Sequence, residues 1–138
     1  MCTAFSLVAG DHYWGRNLDL DYRYNEEVTI TPRGYRFLFR HAKQPEIHYA
    51  MIGIATVWDG YPLYYEAMNE KGLCMAGLNF PGNAVYHPQD PQKINLAAFE
   101  LIPWILSQSK NVDEANIVAC LSAKKMSGIR TICFVNKA

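Results

Sequence analysis

The sequence predicts an α+β domain, on three observations. Short apolar, β-prone segments separated by turn dipeptides fill the first 80 residues, helical periodicity begins only after Pro91, and a β-branched run closes the chain. Strands grouped first and helices second argue against the regular alternation of a parallel α/β sheet.

The elements follow in order. Cys2 to Ala9 is apolar and β-prone, Gly10-Asp11 is a turn signal, and His12 to Leu20 is expected to return antiparallel as the second arm of a hairpin. Glu27 to Thr31 alternates and is broken by Pro32, after which Tyr35 to Arg40 (YRFLFR) resumes as a strand. Tyr49 to Trp58 is the longest apolar strand. Asp59-Gly60 is a hairpin dipeptide, so Leu63 to Ala67 should pair back on it. Asn69-Glu70-Lys71-Gly72 marks the next turn, and Leu73 to Phe80 the next strand.

Asn95 is the expected N-cap of a helix running to about Gln108, deeply buried by Leu96, Phe99, Ile102, Ile105 and Leu106, and kinked at Pro103. A second helix should begin at Asn111, with Asp113 and Glu114 in its first turn in an arrangement close to a capping box. Ile129 to Val135 reads as a last strand.

Composition narrows the function. The 138 residues are 50% hydrophobic and 19% charged, as in one globular domain. Thirteen Lys plus Arg balance thirteen Asp plus Glu, so no basic face points to nucleic acid, and a small molecule is the expected partner. No apolar run approaches the roughly 18 residues of a membrane span. Cys2, Cys74, Cys120 and Cys133 form no C-x-x-C pair and no secretory leader is recognisable, so a cytoplasmic location is expected. These cysteines with His12, His41, His48 and His87 match no zinc spacing, and no cofactor is expected.

Cys2 carries the chemistry. Removal of Met1 would leave a residue with a thiol and an α-amine two bonds apart, and an amine titrating near 7.7–8 can take the thiol proton unaided. Position two by itself fits a small buried hydrophobe at the start of an edge strand as well. Arg16 and Asp19, on the strand expected to pair with that of Cys2, add a cation that favours thiolate and a carboxylate that can hold the amine.

The segments MCTA, YWGRNLD at 13–19, VTITPRGYRFLFRH at 28–41, YPLYYEAMNEKGL at 61–73, AGLNFPGNA at 76–84 and FELIPWILSQSKNVDEA at 99–115 resemble the amino-terminal part of the choloylglycine hydrolases. These are the bile salt hydrolases and penicillin V acylases of the N-terminal-nucleophile superfamily, whose fold is an αββα sandwich. The resemblance implies Cys2 as nucleophile, Asp19 orienting its amine, Arg16 supporting the thiolate and Asn79 contributing to the oxyanion hole. Asn at that position, rather than Tyr, tilts the implied substrate toward conjugated bile salts and away from penicillin V. An amphipathic amide is thus the implied partner, with a homo-oligomer expected if the chain folds.

The resemblance covers residues 1–115. Family members continue for about another two hundred residues. A second oxyanion-hole Asn, a further active-site Arg and half of the sandwich therefore have no candidate here, and the fold is expected to be incomplete. The tail 116–138 departs from the family pattern. A frame change before an early stop is the favoured reading of it, over a genuine short form completed by its last strand.

Overall fold

A computed structural model describes residues 2–78, 88–89, 91–92, 94–123 and 131–135, with backbone alone considered from 120 onward. Strands β1 (Thr3–Ala9) and β2 (Asp11–Asn17) form a two-stranded hairpin. Strands β3 (Glu27–Thr31), β4 (Met51–Trp58), β5 (Tyr61–Asn69), β6 (Cys74–Leu78) and β7 (Thr131–Val135) form an antiparallel sheet in sequence order. Helices α1 (Leu101–Gln108) and α2 (Val112–Ala123) complete the α+β architecture.

The β4–β5 turn shows why the strand readings succeed. Asp59 and Gly60 both adopt positive φ, 50° and 75°, the mirror-image turn that matches strand twist, and Trp58 then faces Tyr61. Gly53 lets β4 and β5 approach closely. A Cβ there would strike the Glu66 carbonyl and come within 2.7 Å of Ala67 Cα.

One face of the sheet is the core. Met51, Ala55, Ala67, Leu73 and Met75 pack with Leu101, Ile102, Ile105 and Leu106 of α1 and with Ala115 of α2, all buried. Seven of the eight α1 residues, Leu101 to Ser107, are buried, as its all-round apolar pattern requires. Asn69, at the end of β5, locks α1 to the sheet. Its Nδ2 donates to the carbonyls of Leu106 (2.8 Å) and Ser109 (2.7 Å), and its Oδ1 accepts from the N–H groups of Lys71 (3.0 Å) and Leu73 (3.1 Å). The other face is covered at Glu66 by the hairpin's Arg16 and open at Val28, Ile30, Ile52 and Met68, which expose 41–67% of their surface.

Four expectations change. Residues 35–40 form no strand. Tyr35, Phe37 and Phe39 do point alternately inward, into an aromatic cluster with His48, Tyr61 and Trp104, but on an extended loop. Its backbone finds partners off any ladder: Tyr35 N–H donates to the nearby Pro32 carbonyl and Arg40 N–H to the distant Glu100 carboxylate.

The first helix begins not at Asn95 but with a 3₁₀ turn, Ala98–Glu100, that runs into α1. The buried Glu100 carboxylate accepts the Ala97 N–H at 2.7 Å and closes that end. Pro103 then lies in the first turn of α1, where its missing N–H needs no partner, rather than at a mid-helix kink. The hairpin's second arm ends at Asn17 rather than Leu20. For α2 the expected start holds: Asn111 Oδ1 accepts the Glu114 N–H at 2.9 Å, and Glu114 reaches back to the Lys110 N–H at 2.9 Å.

Candidate active site

The hairpin builds the site from register. Its pairs run from Thr3 opposite Asn17 to Ala9 opposite Asp11, turning at Gly10 with φ of 76°. Ala4 faces Arg16 across the ladder, and side chains two apart share a face, so Cys2 and Arg16 lie diagonally on one face of the hairpin. Cys2 is half-buried, and its Sγ donates to the backbone carbonyl of Asp19 at 3.9 Å. Cys2 and Arg16 thus share one hairpin face, while Asp19, past the end of β2, meets the thiol through its backbone carbonyl.

Arg16 does not behave as a surface ion pair. Its side chain is 2% exposed, and Nη2 donates to the Gly77 carbonyl of β6 at 2.8 Å. Its Nε lies 3.0 Å from Oε2 of Glu66 on β5, at an angle unsuited to a hydrogen bond, so the contact is an ion pair. Arg16 Nη1 is buried with no hydrogen-bond partner among the described residues. Burial raises the Glu66 pKa, and the Arg16 charge counters that only in part. Arg16 thus ties the hairpin to the main sheet.

Asn79 lies outside the described residues, one position beyond Leu78, the end of β6. Glu66 is the residue that sequence reading missed. It is the only charged residue in the β5 segment YPLYYEAMN, a signal that passes for an outward-facing polar position until the pairing with Arg16 is known.

The other thiol among the described residues, Cys74, is buried, and desolvation pushes its pKa up to about 11, which makes it a poor nucleophile at neutral pH. Among the described residues no three His, Cys, Asp or Glu side chains come together as a metal site. His12 pairs with Ser6, His41 with Gln89, and His48 stacks on Phe37, while His87 lies outside the described residues. No helix among the described residues is long and apolar enough to cross a membrane.

Comparison with known proteins places the chain in a family. The family model for linear amide C–N hydrolases of the choloylglycine hydrolase family matches residues 2–126. The chain is 50% identical over 125 residues to the bile salt hydrolase/transferase of Lactiplantibacillus plantarum, covering 86% of this chain and 39% of that protein. It is 42% identical over 118 residues to the conjugated bile acid hydrolase of Lactobacillus gasseri, covering 83% of this chain and 37% of that protein.

Two crystal structures of mutant conjugated bile acid hydrolase from Clostridium perfringens share the fold. One superposes with a TM-score of 0.78 at 32% identity over 88% of this chain and 38% of that one. The other gives 0.81 at 26% identity over 99% of this chain and 45% of that one. The chain thus spans less than half the length of the relatives it matches, and its sheets and helices are part of their α+β N-terminal-nucleophile fold. From the family match over most of its length and from these relatives, the chain belongs to the choloylglycine hydrolase family of linear amide C–N hydrolases.

Proposed function

We propose that this chain carries the nucleophile half of a bile salt hydrolase-type site, acting on glycine- or taurine-conjugated bile salts in the cytoplasm. The observation that supports the reading most is a buried guanidinium on the same hairpin face as Cys2, with one N–H pair lacking an acceptor among the described residues. Loss of Met1 exposes the Cys2 α-amine, which takes the thiol proton. The thiolate attacks the amide carbonyl, Asn79 donates to the oxyanion, and the protonated amine passes its proton to the leaving nitrogen. Water then hydrolyses the thioester and returns the enzyme to its starting state. Asp19 holds the amine and Arg16 supports the thiolate.

Incubation of the Met1-processed chain with glycocholate, taurocholate and penicillin V tests this. Release of glycine or taurine that is lost in Cys2→Ala is the expected result. Preference for penicillin V or another N-acyl amide would move the substrate assignment within the family.

The open sheet face of Val28, Ile30, Ile52 and Met68 favours one second reading: a ligand-binding chain without turnover, held as a homo-oligomer that covers this apolar surface. Absence of turnover on all three amides, with a sedimentation mass above that of the monomer, would support it.

A further inference from the structure

We propose that Glu66 is the positioning residue of the Arg16 guanidinium, and that through Arg16 it sets the reactivity of the Cys2 thiol. The inference rests on the reading of Cys2 as nucleophile and adds a residue on a different strand. Glu66 sits on β5 opposite Ala76 of β6, and Arg16 crosses from β2 to reach it. Arg16 is its only ion-pair partner among the described residues.

The fork geometry of arginine decides what this contact does. Gly77 takes Nη2 at 2.8 Å and Glu66 neutralises the Nε side at 3.0 Å, so two of the three nitrogens are committed to the main sheet. Nη1 is left buried and without an acceptor among the described residues. A buried donor of that kind is retained at a cost unless an acceptor arrives, and a thiolate or substrate oxygen at the Cys2 corner supplies one. Glu66 and the Gly77 carbonyl hold one end of the guanidinium; Nη1 is the working end. The same clamp fixes the hairpin that bears Cys2 against β6, the strand that leads into Asn79.

Glu66 has two separable effects. Its shape holds Arg16, and its charge moderates the positive field that Arg16 presents to the thiol. Glu66→Gln keeps the first and removes the second, whereas Glu66→Ala removes both. Among the described residues, and besides the Cys2 α-amine, the charged groups at or beside this corner are Arg16, Glu66 and Asp19, whose backbone carbonyl takes the Cys2 thiol, and only Glu66 is altered.

The test is the pH profile of Cys2 alkylation by iodoacetamide in the full chain, followed by peptide mass mapping, with folding checked by circular dichroism. Relative to the unmutated chain, the Cys2 inflection is expected to fall by about half a unit or more in Glu66→Gln and to rise in Glu66→Ala. Both shifts should vanish in an Arg16→Ala background. An unchanged or raised inflection in Glu66→Gln, or shifts that persist without Arg16, would overturn the assignment. Loss of fold in Glu66→Gln itself would mark Glu66 as structural and overturn it too, and if only Glu66→Ala fails to fold, Glu66→Gln with and without Arg16 decides. If Cys2 of the unmutated chain shows no selective alkylation, the nucleophile reading fails and takes this inference with it. Selective alkylation that Glu66→Gln leaves untouched sinks this inference alone.

Discussion

Asn69 offers a quantitative test of how the helix is joined to the sheet. Its side chain is 2% exposed and makes four hydrogen bonds of 2.7–3.1 Å, two donated to Leu106 and Ser109 and two accepted from Lys71 and Leu73. Asn69→Ala removes all four and leaves buried partners behind, so at about 1 kcal/mol per bond the loss is about 4 kcal/mol. That is a large share of the roughly 5–15 kcal/mol that stabilises an ordinary domain.

Asn69→Asp sharpens the test, because its Oδ1 still accepts from Lys71 and Leu73 while its second oxygen meets two carbonyls with no proton to offer. The ionised form is disfavoured in the fold, so the folded pKa of this carboxyl is raised above its unfolded value of about 3.9. Its destabilisation is therefore full at neutral pH and shrinks as pH falls through the folded pKa. Urea unfolding followed by tryptophan fluorescence, at pH 7 and again near pH 5, reads both effects. A loss below about 1 kcal/mol in Asn69→Ala, or Asn69→Asp as stable as the wild type at pH 7, would refute the role of Asn69 as the joint.

Two further outcomes are expected. Burial lowers the His48 pKa from 6.5, so the neutral ring is favoured in the fold; stability should be full above about 6.5 and decline as pH drops below it. The urea midpoint should therefore fall between pH 7.5 and 5.5, and fall less in His48→Phe, which keeps the stack on Phe37. Gly53→Ala should destabilise by about 3 kcal/mol or prevent folding, because its Cβ has no room against Glu66 and Ala67 of β5, and the soluble yield and thermal midpoint check this.

The sequence carried local information well. Asp59-Gly60 and Gly10 announce their turns because few other residues take positive φ cheaply, and Asn111 with Glu114 announces α2 because both groups act within one turn. The segment 35–40 misled because period-two burial of Tyr35, Phe37 and Phe39 is satisfied by any extended backbone, whereas a strand needs a partner that sequence does not show. The start of α1 differs from the expected Asn95 for a related reason: Glu100 accepts the Ala97 N–H three residues before it and also the distant Arg40 N–H, and that second, long-range contact is not visible in the sequence.

At the candidate site, the shared face of Cys2 and Arg16 could be read from hairpin spacing, whereas Asp19, expected on the same strand, lies past the end of β2 and meets Cys2 through its backbone carbonyl. Glu66 could not, being 50 residues from Arg16 in sequence. Asn69 showed the same limit, reading as a turn residue while its amide serves two carbonyls of the α1 end.

The proposed role of Cys2 is that of a processed, activated nucleophile. Intact-mass analysis of the purified chain, followed by brief labelling with iodoacetamide at neutral pH and peptide mapping, tests it most directly. The expected result is a chain lacking Met1, with Cys2 labelled well ahead of Cys74, Cys120 and Cys133. Cys74 should react slowly until the chain unfolds, because it is buried and desolvation pushes its pKa up to about 11. A chain that retains Met1, or one whose four cysteines are labelled at the same rate, would contradict it.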